Sequence, residues 1–149
     1  MSIELVRYSD ALKPSLFVFT DACFAELGKA FEPDGRHGFY NEIPSYFDLF
    51  LCLIDDGVVK GSAGIRQING DTAELKALYV SRELRGQGFG YKLLDAAVVF
   101  ARDAGYKKIV LDSMTQYVDA RRLYDRYGFV ETGRYNDNSY ADVFMELEL

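Results

Sequence analysis

The stretch LYVSRELRGQGFGYKLL, residues 78–94, passes from an apolar segment into a helix-like one through Gly86, Gly88 and Gly90. Glycine loses more conformational freedom on ordering than any other residue. Three of them within residues 86–90 therefore need a use. The uses that fit the mouth of a helix are a tight turn, a close approach to a phosphate, or both. Two familiar nucleotide loops can be tested at once. Counted from Gly86 and Gly88, the third glycine of G-x-G-x-x-G would fall on Tyr91, and no Gly-Lys-Ser/Thr triplet of a P-loop is present. Neither fits.

Outward from this stretch, apolar periodicity predicts an alternation of strands and helices. Upstream, FDLFLCLI, VVKGSAGIRQI and TAELKALYV read as three strands of a meander, joined by an Asp-Asp-Gly turn and by Asn69-Gly70. Before them, Ile3 and Leu5 mark a first strand. Leu16, Thr20, Cys23, Phe24 and Leu27 recur at helical spacing, with Ser9 or Asp10 as cap, Pro14 in the first turn and Gly28 at the end. Residues 32–46 mix Pro, Gly and aromatics and read as an irregular or briefly helical loop. Downstream, Leu93, Leu94, Ala97, Val98 and Ala101 define an amphipathic helix closed by Gly105, and KKIVLDSM a strand. A helix over 118–127 stops at Gly128, and FVETGRY and DVFMELEL are strands around the polar NDNSYA. The expected architecture is α/β: a mixed, mostly antiparallel sheet with flanking helices, in a single domain over residues 1–149.

Composition narrows the function classes. A net charge of −6 argues against nucleic acid as a partner and modestly favours encounter with a cationic amine. No apolar run reaches the ~18 residues of a membrane span. MSIELVRYSD lacks the apolar core of a secretory signal, so a cytoplasmic protein is expected. Cys23 and Cys52 form no spaced framework, which suits free thiols in a reducing compartment. His37 is the one histidine, and without a nearby Cys pair no metal site is expected. A homodimer is compatible with the sequence, which does not specify the oligomeric state.

What does fit the glycine stretch is Arg85-Gly86-Gln87-Gly88-Phe89-Gly90, which resembles the Q/R-x-x-G-x-G/A signature of the GNAT N-acetyltransferases. AELKALYV before it is similar to that superfamily's fourth strand. ARRLYDRYGFVETGRY, from Ala120, is similar to its A-x-x-L-Y-x-x-x-G-F helix and following strand, and the C-terminal hairpin is similar to that of a bacterial branch of small members. The resemblance runs from about residue 58 to 149; the N-terminal third matches in layout only.

It implies acetyl-coenzyme A as co-substrate. The backbone N–H groups of Gly86, Gln87, Gly88, Phe89 and Gly90, with the positive end of the next helix, would cradle its pyrophosphate, and Arg85 would pair with it. The strand edge at Leu78, Tyr79 and Val80 would hydrogen-bond the pantetheine arm. Tyr124 stands where the family helix places its general acid, and also among cofactor contacts; a phenol stays protonated at neutral pH and can donate to a thiolate. Glu74, eleven positions before Arg85, stands at the spacing of the catalytic base in the histone-modifying branch. Its alternative reading is a strand carboxylate paired with Lys76 on the same face. Tyr117 occupies the place of a cofactor-contacting Asn, a departure from the family pattern. Phe39, Tyr40, Tyr46 and Phe47 are candidates for the wall of an acceptor pocket, and Tyr135, Asn136 and Asn138 for hydrogen bonds to a polar acceptor. The function expected is direct acetyl transfer in a ternary complex to a small-molecule, peptide or protein amine. The alternative is a coenzyme-A-binding sensor module of the same fold without chemistry.

Overall fold

The computed structural model describes residues 2–149, and in it seven strands form one sheet in the order β1-β2-β3-β4-β5-β7-β6. β1 (Ile3–Arg7), β2 (Leu49–Asp55), β3 (Val58–Gln67) and β4 (Thr72–Val80) are antiparallel neighbours, so the expected meander is present. β5 (Lys108–Ser113) lies parallel to β4, joined to it by the crossover helix α3 (Phe89–Asp103). β7 (Val143–Glu148) inserts antiparallel between β5 and the two-residue β6 (Val130–Glu131).

Helices cover both faces because each strand alternates its side chains. One face carries Leu51, Leu53, Ala63, Ile65, Ala73 and Leu75 against α3 and α4 (Val118–Tyr127). Leu93, Leu94, Ala97, Val98 and Ala101 of α3 are fully buried there, the stripe read from the sequence. The other face is aromatic. Phe50, Cys52 and Val59 pack against α1 (Lys13–Glu26), α2 (Ile43–Tyr46) and the segment between them, through Phe19, Tyr40 and Phe47. Among the described residues no helix is long and apolar enough to cross a membrane.

Two local expectations need correction. A 3-10 turn over Asp10–Leu12 precedes α1, and neither Ser9 nor Leu12, which stands at the cap of α1, makes a side-chain capping bond. FVETGRY pairs with β7 at Val130 and Glu131, with one further bond from the Thr132 N–H to the Phe144 carbonyl, rather than along its length. The chain leaves the ladder because Arg134 turns its guanidinium to the loop's own carbonyls at Asn138 and Ala141, and Tyr135 turns in toward β4.

The feature that opens the sheet is a bulge in β4. Gly64 pairs with Lys76 and Ser62 with Tyr79, so Ala63 faces two residues, Ala77 and Leu78. Ala77 takes φ +61°, a left-handed conformation uncommon outside glycine. The buried Ser62 hydroxyl holds it by donating to the Ala77 carbonyl at 2.6 Å. β4 and β5 pair only through Thr72–Glu74 and Lys108–Val110, and the bulge lies in the part of β4 that has left β5. Replacing Ser62 with Ala leaves that carbonyl without its donor and is expected to cost about 1–3 kcal/mol. Urea unfolding should show a lowered midpoint at an unchanged slope; an unchanged midpoint would mean the bulge holds itself.

Candidate active site

Where β4 and β5 diverge, a cleft of about 1830 Å³ opens between α1, the β4 edge, the start of α3, α4 and the β6–β7 loop. At one end sits the glycine stretch. Gly88, at φ +85°, is the N-cap of α3, and the helix's first backbone bond runs from Lys92 N–H to the Gly88 carbonyl. The N–H groups of Phe89, Gly90 and Tyr91 therefore have no partner within the helix and, with its positive end, form a place for an anion. Gly90 serves packing instead: a Cβ there would stand 3.3 Å from Leu123 Cδ2 and 3.8 Å from Val80 Cγ2. The resemblance's pyrophosphate fits this end of the cleft.

The side chains of the stretch are less free than the sequence suggests. Arg85 Nη1 pairs with Glu26 at 2.8 Å and its Nε donates to the Val80 carbonyl at 3.1 Å. One strand-edge acceptor expected to serve a ligand is thus met from within the protein. Gln87 donates its side-chain amide to the Glu83 carbonyl at 2.9 Å, bracing the turn. Leu78 and Val80 point into the α3 core, whereas Tyr79 packs edge-on to Phe24 on the opposite face. What these three residues offer a ligand is backbone.

Tyr124 lies midway along the cleft, 7% exposed, its ring against Phe129. Its hydroxyl has no hydrogen-bond partner among the described residues. Burial first, and then the negative charge of Asp112, push its pKa upward, so it stays protonated. Tyr117 is the N-cap residue of α4, lines the same cleft and has the Lys29 ammonium 5.5 Å from its ring centre.

Glu74 is 3% exposed and thoroughly engaged. Tyr135 donates to its Oε2 at 2.6 Å, Arg66 reaches Oε1 at 3.2 Å, and Lys76 stands off at 3.9 Å. The Lys76 pairing foreseen from the sequence is thus the longest of the three contacts. Arg66 is closer because β3 and β4 set it directly opposite Glu74. The Tyr135 hydroxyl is held far above the usual phenol range by burial and by the Glu74 charge.

The aromatic candidates divide. Phe39 lines the cleft, with Lys76 Nζ 5.1 Å from its ring centre. Tyr40, 1% exposed, is mainly a core residue that still contributes to the cleft lining, whereas Phe47 is core alone, because the segment folds onto β2. Tyr46 stacks on Phe39 and backs the Arg66 guanidinium, 4.5 Å away, outside the cleft lining. Asn136 and Asn138 give their side-chain amides to Asp112 Oδ2 at 2.7 and 3.3 Å.

Asp112, Arg66 and Lys29 were missed in the sequence. Asp112 had a signal, a carboxylate within the otherwise apolar run of KKIVLDSM. Arg66 follows once the Asn69-Gly70 turn fixes the strand register. Lys29, just past Gly28, carried none.

Sheet, bulge and glycine-led helix together make a GNAT-type α/β fold. The chain belongs to the acetyltransferase (GNAT) family, whose sequence profile matches residues 16–129. It is 32% identical over 108 residues to an uncharacterized N-acetyltransferase of Schizosaccharomyces pombe, a match covering 71% of this chain and 66% of that one. It is 30% identical over 125 residues to an aminoglycoside N(6')-acetyltransferase type 1 of Stenotrophomonas maltophilia, covering 76% of this chain and 82% of that one. In several other curated relatives the match spans only 27% to 36% of their length. YncA of Salmonella typhimurium, solved with its cofactor acetyl-CoA, superposes with a TM-score of 0.72 at 22% identity, over 99% of this chain and 94% of that one.

The Glu74 geometry generates a test. Glu74→Gln removes the charge that compensates Arg66 and is expected to cost about 1.5–3 kcal/mol, read as a lower melting temperature. If Glu74 is also the base, turnover per folded molecule falls by ~10²–10⁴-fold and recovers partly as pH rises and more acceptor is neutral. A variant that melts lower yet acetylates at the wild-type rate would confine Glu74 to structure.

Proposed function

We propose that this protein is an N-acetyltransferase that moves the acetyl group of acetyl-coenzyme A directly to an amine. The observation that carries the reading is the Tyr124 hydroxyl, protonated and without an internal partner in a cleft that begins at a bare helix N-terminus. Bound acetyl-coenzyme A would supply an activated acyl thioester and a thiolate leaving group.

The chain's own residues divide the remaining work. The N–H groups of Phe89, Gly90 and Tyr91 hold the pyrophosphate, and Arg85 can add a charge-assisted bond if it exchanges Glu26 for phosphate. The unpaired β4 edge from Leu78 to Val80 receives the amide-bearing arm, and its backbone N–H groups stabilise the oxyanion. Tyr124 donates a proton to the departing sulfur. Glu74, directly or through water, takes the proton that the amine must lose, while Tyr135 and Arg66 each occupy one of its oxygens.

Direct transfer is favoured over an acyl-enzyme by the state of the thiols. Burial pushes Cys23 up to about 11 and Cys52 up to about 12, and both are buried, so neither is a thiolate nucleophile near neutrality. A coenzyme-A-binding module without chemistry would have no use for an unbonded phenol between the two halves of its cleft.

Tyr124→Phe keeps the ring against Phe129 and removes only the donor. Turnover is expected to fall ~10²–10⁴-fold with coenzyme-A affinity, measured by calorimetry, nearly unchanged. Because the hydroxyl has no partner inside the protein, the melting temperature should hardly move. Wild-type turnover in this variant would remove Tyr124 from the chemistry.

A further inference from the structure

Two opposite charges, Asp112 and Lys29, line the same cleft without touching. Asp112, on β5, is half-buried and accepts hydrogen bonds from the neutral amides of Asn136 and Asn138. No cation lies within salt-bridge distance of it among the described residues. Lys29, just beyond α1, is also half-buried. Its Nζ stands 4.1 Å from the Phe24 ring centre, 5.8 Å from that of Tyr79 and 5.5 Å from that of Tyr117. Its side chain donates to the Tyr79 hydroxyl at 3.4 Å, and among the described residues no carboxylate is within salt-bridge distance. Of the other carboxylates lining the cleft, buried Glu74 is already met by Arg66 and Lys76, Glu26 is met by Arg85, and Asp119 and Asp137 are exposed to solvent.

The two charges nonetheless sense each other. Lys29 is pulled down to about 8, by burial first and by the Arg36 charge next, while Asp112 works in the opposite direction. Among the described residues Arg36 likewise has no carboxylate within salt-bridge distance, and its guanidinium lies 3.9 Å from the Tyr140 ring centre. A half-buried charge without a counter-ion is costly, and a ligand bringing both missing partners would relieve both sites. The Arg36–Tyr140 contact also joins the segment after α1 to the β6–β7 loop along the cleft.

We propose that the acceptor is a small zwitterion, an amine that also carries a carboxylate, with its ammonium against Asp112 and its carboxylate against Lys29, backed by Arg36. This rests on the transferase reading above. In the transfer, a C–N bond forms at the acetyl carbon as the C–S bond breaks. Of the two protons the ammonium loses, one passes through the base to solvent and one replaces the proton that Tyr124 gives to sulfur. The product keeps its carboxylate and loses its positive charge, so its hold on Asp112 is lost and its release is favoured.

The test uses the full chain with acetyl-coenzyme A and a panel of α-, β- and γ-amino acids, each paired with its carboxamide, beside polyamines, an aminoglycoside and peptides with free N-termini. Thiol release gives kcat/KM. The best amino acid should exceed its carboxamide by about tenfold to a hundredfold, the worth of one charge-assisted contact. That ratio should fall toward one in Lys29→Met and largely survive in Lys29→Arg, whereas Asp112→Asn should raise the acceptor KM. Carboxamides as good as acids, or turnover of polyamines or peptides alone, would overturn the zwitterion and leave the transferase reading standing. Coenzyme-A binding with no turnover of any amine would overturn both. If a variant fails to fold, the wild-type ratio of acid to carboxamide still decides.

Discussion

The Ser62 hydroxyl donates to the Ala77 carbonyl at 2.6 Å and fixes a strand residue at φ +61° in the middle of the sheet. Without that twist β4 would run on beside β5, its edge N–H and C=O groups satisfied by a neighbouring strand. With it, the strands share only three paired positions and then separate, and the β4 edge becomes available to something other than protein. The cleft, the exposed start of α3 and the inward view of Tyr124 all follow from this parting. A left-handed alanine is a locally unfavourable conformation, sustained here because a buried side chain satisfies the backbone it disturbs.

The charges around the cleft fall into two groups. Glu26 with Arg85, and Glu74 with Arg66, are closed pairs that position elements: the first ties the end of α1 to the glycine turn, the second locks β3 to β4 under the Tyr135 hydroxyl. Asp112, Lys29 and Arg36 lack such partners among the described residues. Overall acidity, with a net charge of −6, suggested attraction of a cationic acceptor. The local arrangement is different, since the wall nearest the acceptor space carries cations as well as anions. Steering at long range and recognition at contact are separate electrostatic problems.

Most of the fold was legible because its signals are local. The stripe of α3, the stop at Gly128, the Asn69-Gly70 hairpin and the buried strands each depend on residues within one element. The glycine stretch was legible for the same reason, although the role of Gly90 was not, since its Cβ space is limited by Leu123 of another helix. The features that make the site were hidden. Nothing in TAELKALYV announces that Ala77 is left-handed; the constraint lies in Ser62, on the neighbouring strand. Phe47 reads as a pocket residue because aromatic content cannot separate a wall from a core, and only packing onto β2 does so. The contacts of Glu74 join residues up to 61 positions apart, beyond any periodicity.

Direct transfer, as proposed, requires both ligands to be held together in one cleft. Initial rates of thiol release, with acetyl-coenzyme A and an acceptor amine varied against each other, decide this. Double-reciprocal lines should intersect, as they do when both ligands must be bound before chemistry occurs. Parallel lines would instead indicate an acyl-enzyme, and would contradict an account in which both cysteines are buried and protonated and Tyr124 serves a single transfer.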